Sequence, residues 1–278
     1  NMSIALDQRE GFIWINGEFI PAKEAKLHFL THALHYASAV FEGERAYNGK
    51  IFKMKEHHER LLKSAEILDM EVKYNIDEIN EAAMELLRPL IWRGAESQEI
   101  YSKKWSVNIG IGIWEWPSFF DKEVLEKGIS LCWADWLRPD PRTVPTNAKA
   151  SGLYISSTLS KNKAVEKGFD DALMKDFQGY IAESTASNIF FVINGELHTP
   201  EPYCFLNGIT RQTIIEIAEK KGYKVHVRHI LPEEIENADE IFLTGTAVEI
   251  TPVGRIENKV YKVGHITKDL RESYLNLL

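Results

Sequence analysis

Lys149, Tyr154 and Glu183 are the residues of this chain whose types and spacing could carry covalent chemistry. Lys149 lies among small residues, in the run Ala148-Lys149-Ala150-Ser151-Gly152-Leu153-Tyr154. A buried lysine amine loses its proton more readily and becomes a nucleophile, and small neighbours leave space for a flat ring beside it. Glu183 comes further along, in Tyr180-Ile181-Ala182-Glu183-Ser184. Because an isolated lysine in a loop is usually solvated, this interpretation depends on the elements around it.

Two short segments could bind an anion. Leu206-Asn207-Gly208-Ile209-Thr210-Arg211 opens a predicted helix, where the backbone amides of Ile209 and Thr210 and the helix dipole favour a negative group. Thr244-Gly245-Thr246-Ala247 follows a predicted strand and forms a turn whose amides could converge on an anion. Taken alone, each segment is more typical of a helix cap or a tight turn.

The elements that must position these residues are a mixture of hairpins and helices. Asn-Gly pairs at 16–17 and 48–49 predict two tight hairpins near the start of the chain. Apolar periodicity predicts helices over 57–69, 77–87 (capped by Asn75 or Asp77), 155–167 and 210–221, and strands over 88–92, 107–114, 129–133, 172–174, 188–193, 223–227 and 240–243. Because strands and helices do not alternate regularly, this order favours an α+β fold in two domains.

A change in composition marks the predicted domain junction. Trp116-Pro117-Ser118-Phe119-Phe120-Asp121 breaks the strand pattern, and sheet signals resume after Gly128. The sequence therefore predicts a small N-terminal α+β domain over 1–115 and an interdomain linker over 116–127. A large C-terminal domain over 128–278 would carry Lys149.

Composition and charge narrow the classes of function. The chain has 278 residues, of which 44% are hydrophobic and 27% charged, which is typical of a soluble globular protein. The net charge of −8 disfavours nucleic acid and anionic membranes as partners. No apolar run reaches the roughly 18 residues of a membrane span, and the first residues lack a signal-peptide pattern. Two cysteines fit a reducing cytoplasm, and the histidine spacings match no metal-ligand set, so we expect a cytoplasmic location and no metal.

Three motifs, in this order, resemble the branched-chain aminotransferases, which are fold type IV enzymes that depend on pyridoxal 5′-phosphate (PLP). The segment 34–43 (LHYASAVFEG) matches the family pattern Leu-His-Tyr-Gly-x-x-x-Phe-Glu-Gly almost throughout. The run that ends at Tyr154 matches the family's lysine segment. The stretch from Glu183 to Asn188 keeps part of a more glycine-rich family pattern. The resemblance extends from about Trp14 to about Val253.

This resemblance implies a fold, a cofactor and roles for named residues. It implies a two-domain fold type IV aminotransferase with its active site at the domain and dimer interface, and therefore at least a homodimer. Lys149 would form the Schiff base with PLP, Tyr154 would donate a hydrogen bond to its phenolic oxygen, and Glu183 would pair with the pyridine nitrogen. The phosphate would be bound by Arg60, Ile209, Thr210 and Thr246.

The resemblance also implies a substrate site. Tyr36, Phe41 and Gly43 would line the side-chain pocket, with Arg45 nearby. Arg88 matches the family arginine that is expected to meet the side-chain carboxylate of glutamate. Trp116 would close the pocket, and the backbone amides of Thr246 and Ala247 would bind the substrate carboxylate.

The expected activity is therefore reversible amino transfer between L-leucine, L-isoleucine or L-valine and 2-oxoglutarate. A D-amino-acid aminotransferase or an aminodeoxychorismate lyase of the same fold is the alternative, and a catalytically silent binding scaffold is a second. The family has a longer connection before the Arg88-Pro89 pair than this chain has between its predicted helix and strand. Either a real deletion or an omitted loop accounts for that difference.

Overall fold

The structure is a computed structural model that describes residues 5–83, 88–114 and 122–278. The chain forms two compact units. One consists of Asn1–Pro117 with Ala148–Gly152, and the other of Ser118–Asn147 with Leu153–Leu278. Both units contain β-sheet as well as α-helices, which confirms the predicted α+β class.

The first unit contains a five-stranded antiparallel sheet in the order β2-β1-β7-β6-β3. Its described elements are β1 (Phe12–Ile15), β2 (Glu18–Pro21), α1 (His32–Tyr36), β3 (Ala39–Phe41), β4 (Ala46–Tyr47), β5 (Lys50–Ile51), α2 (Met54–Ile67), α3 (Ile76–Ala83), β6 (Arg88–Arg93) and β7 (Val107–Gly112). Both Asn-Gly hairpins are confirmed. Asn16 and Gly17 join β1 to β2, and Asn48 and Gly49 join β4 to β5, all four with positive φ.

Local hydrogen bonds explain why α3 begins where it does. The Asn75 side-chain oxygen accepts bonds from the backbone amides of Asp77 (2.9 Å) and Glu78 (3.1 Å). The Glu78 carboxylate accepts the Asn75 amide in return, at 2.8 Å. This reciprocal pair is a capping box, and it identifies Asn75, rather than Asp77, as the cap. The last four residues of the predicted helix, 84–87, lie outside the described residues.

The segment that carries Lys149 packs with the first unit. Ala150 forms an isolated β-bridge with Val40 of β3, and a Cβ added at Gly152 would lie 3.0 Å from Ala37. The sequence prediction placed Lys149 in the C-terminal domain, and the bridge to β3 is the reason for the difference. The predicted domain boundaries stay a prediction.

The second unit contains a nine-stranded mixed sheet in the order β10-β9-β8-β15-β14-β11-β12-β13, with β16 beside β15. Its described elements are α4 (Lys122–Lys127), β8 (Ile129–Trp133), α5 (Ile155–Glu166), β9 (Asp171–Lys175), β10 (Ile181–Ser184), β11 (Asn188–Ile193), β12 (Glu196–Pro200), α6 (Ile209–Lys220), β13 (Val225–Arg228), β14 (Glu240–Gly245), β15 (Glu249–Ile256), β16 (Lys259–Val260) and α7 (His265–Leu275). The pairs β8–β9, β8–β15 and β12–β13 are parallel.

Apolar residues from the strands of this sheet form its core. Leu131, Leu173, Ile189 and Phe191 are fully buried in one cluster. Phe190 stacks on Phe242 with ring centroids 5.0 Å apart, which joins β11 to β14 by a cross-strand pair. The strands that carry Glu183, Asn188 and Thr244 are therefore fixed by burial in this sheet.

Both cysteines of the chain, Cys132 and Cys204, are buried free thiols. None of the helices among the described residues has the length and apolar character that a bilayer crossing requires.

Candidate active site

Within the first unit, hydrogen bonds fix the Lys149 backbone at both its amide and its carbonyl. Its backbone amide donates to the Ser64 hydroxyl on α2 at 3.0 Å, and its carbonyl accepts the Phe41 amide at 3.1 Å. Its amine lies 4.9 Å from the centroid of the Phe41 ring. These contacts fix the base of the side chain and place the amine against an aromatic face.

Arg88, at the start of β6, reaches the same aromatic ring. Its guanidinium carbon lies 4.9 Å from the Phe41 centroid and 5.4 Å from that of Trp114. A Cβ added at Gly43 would lie 3.8 Å from Arg88 Nη1. The structure thus brings four of the predicted residues, Lys149, Phe41, Gly43 and Arg88, into one group.

Arg60 on α2 is bound by a carboxylate that the sequence did not single out. Its Nε and Nη2 donate to the two oxygens of Glu42, at 2.6 Å and 2.8 Å. His57 Nδ1 donates to Glu42 Oε2 at 2.7 Å. Burial alone would raise the pKa of Glu42, but the charge of Arg60 and the bonds from Arg60 and His57 lower it to about 2. Glu42 is therefore an anion that orients Arg60.

Tyr36 and Trp116 are the other two residues of the first unit that were predicted to line the substrate pocket. Tyr36, at the end of α1, has an exposed fraction of 46%, and its ring stacks on His32 with centroids 4.6 Å apart. Trp116 lies outside the described residues.

In the second unit, Glu183 on β10 is a buried carboxylate with a different partner at each oxygen. Arg138 Nη2 lies 2.9 Å from Oε1, and Asn188 Nδ2 donates to Oε2 at 3.1 Å. Arg138 also donates to the Thr185 carbonyl at 3.0 Å. These bonds restrict rotation of the carboxylate and compensate its burial.

The first turn of α6 has the features of an anion site. The residue before the helix, Gly208, supplies no side-chain acceptor, so the first amides, including those of Ile209 and Thr210, have no side-chain cap. Arg211 follows within the same turn and is 2% exposed. Burial lowers the pKa of Arg211 to about 10, so it remains charged at neutral pH. Its contacts to Thr199, Pro200 and Asn207 anchor the helix start.

The Thr246 turn lies between β14 and β15 in the same sheet. Asn188 on β11 pairs with Thr244 on β14, two positions before Thr246. Thr246 is half-buried, and Ala247 is exposed.

Tyr154, the predicted partner of the phenolic oxygen, is half-buried and is the last residue before α5. Its carbonyl accepts a hydrogen bond from the Thr158 hydroxyl at 3.0 Å.

A group of three side chains that the sequence did not predict lies elsewhere in the second unit. Ligand atoms of Glu196, His198 and His226 all lie within 4.8 Å of one another. However, Lys224 contacts the Glu196 carboxylate at 2.9 Å, and Arg228 Nε donates to His198 Nδ1 at 3.1 Å. Two fixed cations beside the group disfavour a metal ion there.

Sequence reasoning missed three residues that contact the predicted ones. Glu42 stands inside the Phe-Glu-Gly motif, which was a usable signal. Asn188 was noted only as agreeing with the family pattern. Arg138 lies in an irregular Pro-rich connection, and its contact with Glu183 crosses a large sequence separation that no local pattern indicates.

Comparison with known proteins identifies a consistent set of relatives. The family described as amino-transferase class IV matches residues 39–256. A probable branched-chain-amino-acid aminotransferase of Rickettsia felis is 46% identical, over 91% of this chain and 90% of that protein. A crystal structure of the Escherichia coli branched-chain amino acid aminotransferase superposes with a TM-score of 0.93 at 36% identity, over 97% of this chain and 95% of that one. An aminotransferase from Brucella abortus bound to PLP has a TM-score of 0.85 at 28% identity, over 97% of this chain and 99% of that one.

Proposed function

The chain belongs to the class IV aminotransferases, and we propose that it transfers an amino group reversibly between L-leucine, L-isoleucine or L-valine and 2-oxoglutarate. The observation that carries the proposal is the group formed by Lys149, Phe41 and Arg88. It places an amine and a guanidinium each 4.9 Å from one aromatic ring. An apolar face beside a cation suits a reaction whose two substrates have an aliphatic and an anionic side chain.

The residues present fit PLP. Glu183 offers a buried carboxylate to a protonated ring nitrogen, and it can accept another bond because a carboxylate has about four lone-pair sites. Arg138 Nε and Thr244 Oγ1 are buried without a hydrogen-bond partner among the described residues. Buried polar atoms are usually paired, so these two atoms fit a polar group that binds beside Glu183 and Asn188.

When bound, PLP supplies an aldehyde carbon that reacts with amines and a ring that accepts electrons from the substrate Cα. Lys149 Nζ would be the attachment point for the cofactor, and the same amine, when free, would move the proton of the substrate Cα as a general acid and base. Glu183 would hold a proton on the ring nitrogen, and Tyr154 would donate a hydrogen bond to the phenolic oxygen.

Backbone amides and one guanidinium are the proposed phosphate ligands. Ile209 and Thr210 contribute the first turn of α6, Thr246 the turn after β14, and Arg60 a full charge. The Glu42 carboxylate holds Arg60 by two hydrogen bonds, so the arginine is oriented before any ligand binds. The amides of Thr246 and Ala247 bind the substrate carboxylate.

The substrate side chain meets residues of both characters. Phe41 contacts aliphatic chains beside Gly43, with Trp116 as a further wall. Tyr36 and Arg88 bind the side-chain carboxylate of glutamate or 2-oxoglutarate in the other half-reaction. This division explains how one site accepts leucine and glutamate in turn.

The names of the relatives do not favour the alternatives, a D-amino-acid aminotransferase, an aminodeoxychorismate lyase or a silent scaffold. Turnover of L-leucine with 2-oxoglutarate, without turnover of D-alanine, separates the proposed activity from them. A purified chain that binds no PLP would support the scaffold instead.

Borohydride reduction in the presence of PLP, followed by peptide mapping, tests the role of Lys149. We expect the label on Lys149 and its loss, together with activity, in Lys149→Ala. Lys63→Ala on α2 is the matched control, because Lys63 is exposed and pairs only with Glu66 among its described contacts. A label on another lysine would overturn the assignment.

We also propose a homodimer in the cytoplasm. In the first unit, Phe29 (77%), Leu34 (62%) and Tyr101 (70%) are large apolar side chains that the single chain leaves exposed, and a second subunit would cover them in the proposed dimer. Light scattering coupled to size-exclusion chromatography tests this, and a monomer mass at micromolar concentration would contradict it.

A further inference from the structure

Asn188 contacts two of the proposed PLP-binding elements at once. Its Nδ2 donates to Glu183 Oε2 at 3.1 Å and to the Leu206 carbonyl at 3.0 Å. Its Oδ1 accepts the backbone amide of Gly208, the residue before α6, at 3.1 Å. One buried amide therefore joins the ring-nitrogen carboxylate to the helix start.

We propose that Asn188 is a positioning residue that fixes the Glu183 carboxylate and the first turn of α6 relative to each other. A single PLP molecule then meets its ring-nitrogen partner and its phosphate donors simultaneously. This inference rests on the proposed function, because it assigns the two elements to opposite ends of the same cofactor.

The chemistry of the amide explains why asparagine stands at this position. Both N–H groups and the oxygen are used, and the side chain is 5% exposed. Aspartate has the same shape, but it lacks donors and would face the Glu183 carboxylate and the Leu206 carbonyl with lone pairs only. Leucine would satisfy none of the three partners. An unsatisfied buried group is costly, so few side chains could replace Asn188.

Gly208 provides a second, independent observation. Its backbone conformation, φ −60° and ψ 141°, is open to any residue. However, a Cβ there would lie 2.2 Å from Asn188 Oδ1, and its next contacts would be at 3.4 Å or more. Glycine is thus required at position 208 by the nearby Asn188 side chain, and not by the local backbone conformation.

The strand on which Asn188 lies makes the position rigid. Asn188 is the first residue of β11 and pairs with Thr244 on β14, whose following turn carries Thr246. Arg138 holds the other oxygen of Glu183 at 2.9 Å. Asn188 is therefore fixed to the sheet, and it transmits that fixed position to the carboxylate and to α6.

The test measures cofactor affinity rather than turnover alone. PLP and pyridoxal, which lacks the phosphate, are titrated into cofactor-free parent protein and into Asn188→Ala, Asn188→Asp and Gly208→Ala. We expect the affinity for PLP to fall about tenfold or more in each variant, because buried partners are left unpaired or displaced. The affinity for pyridoxal should fall less, since this ligand has no phosphate to align.

Gln212→Ala is the matched control. Gln212 is exposed on α6 and donates to the Asn207 carbonyl at 3.0 Å, but no described bond joins it to Asn188 or Glu183. The substitution should change the affinity for PLP less than about threefold. An effect equal to that of Asn188→Ala would indicate a general loosening of the loop and overturn the proposal.

The double variant Asn188→Ala/Gly208→Ala tests the contact itself. Removing the Asn188 side chain makes room for the Cβ, so the combined loss of PLP affinity should be smaller than the product of the single losses. Losses that multiply would overturn the proposal. If Asn188→Ala does not fold, Asn188→Asp decides, and parent-like PLP affinity in that variant would also overturn it.

Leucine turnover by the parent protein is measured in the same preparations. If the parent binds PLP but does not transaminate leucine, the proposed substrate is wrong, whereas the affinity comparison still decides the role of Asn188. If the parent is active and all variants match it, only the present inference fails.

Discussion

At the scale of single residues, the buried Glu42 carboxylate links stability to pH. The folded state holds its pKa at about 2, compared with an ordinary value of 4.5. Between these values the unfolded chain binds a proton more readily than the folded one, so stability present above pH 4.5 is lost as the pH falls towards 2. Removing the carboxylate should therefore lower the free energy of unfolding at neutral pH and lower it by less in acid.

We expect Glu42→Gln to lower the free energy of unfolding by on the order of 3 kcal/mol at neutral pH, because Arg60 and His57 lose the charged Glu42 carboxylate. Urea unfolding of parent and variant at about pH 6 and about pH 3 measures the difference, which should narrow in acid. Glu66→Gln, at an exposed position of α2, is the control and should show little effect. An equal difference at both pH values would argue against the role given to the Glu42 pKa.

Arg88 allows a prediction about substrate discrimination. Replacing it by methionine keeps an unbranched side chain beside Phe41 but removes the charge. We expect kcat/KM for glutamate to fall by about 10- to 100-fold, the worth of a charge-assisted hydrogen bond, while leucine changes by about threefold or less. Steady-state kinetics with both amino acids checks this, and Arg142→Met, at an exposed loop arginine, is the control. A parallel loss for both substrates would show that Arg88 does not discriminate between them.

The family resemblance predicted residues of the candidate site, whereas the residues that hold them in place were not predicted. Lys149, Phe41, Gly43 and Arg88 were all predicted from motifs, and the structure brings them together. The Arg138–Glu183 pair depends on a contact between β10 and an irregular segment. Such a contact is set by the tertiary fold, so no local pattern in the chain indicates it.

At the scale of elements, two glycines with positive φ separate backbone preference from packing. A Cβ at Gly128 (φ +76°) would lie 2.3 Å from the Gly254 backbone nitrogen, whereas one at Gly168 (φ +81°) meets nothing within 4 Å. We expect Gly168→Ala to cost about 1 kcal/mol, and Gly128→Ala roughly 3 kcal/mol or more, because α4 must move away from β15. Urea unfolding compares the two variants. Equal costs would mean that the close approach of α4 and β15 contributes nothing.

Strand β15 was not predicted from the sequence, partly because it contains the glycine that this close approach requires. Its sequence, Glu-Ile-Thr-Pro-Val-Gly-Arg-Ile, contains a proline and a glycine, which usually interrupt strands. In the structure the register with β8 shifts between Val253 and Arg255, and Gly254 leaves room for the Lys127 carbonyl. By contrast, α5 was predicted closely, because its periodicity and the Gly168 stop are both local.

Helix α7 was missed for another reason. The residue before it is Gly264, and no local side chain caps it. The cap comes from Glu240 on β14, whose carboxylate accepts the Thr267 amide at 2.8 Å and the Ile266 amide at 3.2 Å. A helix start that depends on a distant strand leaves no signal in its own sequence.

At the scale of the whole molecule, cofactor binding should raise resistance to heat. A ligand that binds the folded chain alone stabilises it by about 2.7 kcal/mol at 100 times its Kd. We expect the melting temperature to rise with PLP concentration in the parent and in Lys63→Ala, and to rise less in Lys149→Ala. Differential scanning calorimetry measures this, and a melting temperature independent of PLP would speak against the proposed cofactor.

The two buried thiols also affect how the intact protein can be handled. Burial raises the pKa of Cys132, and it raises that of Cys204 to about 12, so both stay protonated at neutral pH and react slowly with alkylating reagents. A chromogenic disulfide should report almost no accessible sulfhydryl until urea unfolds the chain. A cysteine introduced on the surface, for example at Lys63, would then be the sole fast-reacting position for a fluorescent label. Conformational changes during turnover could be followed without first removing any native side chain.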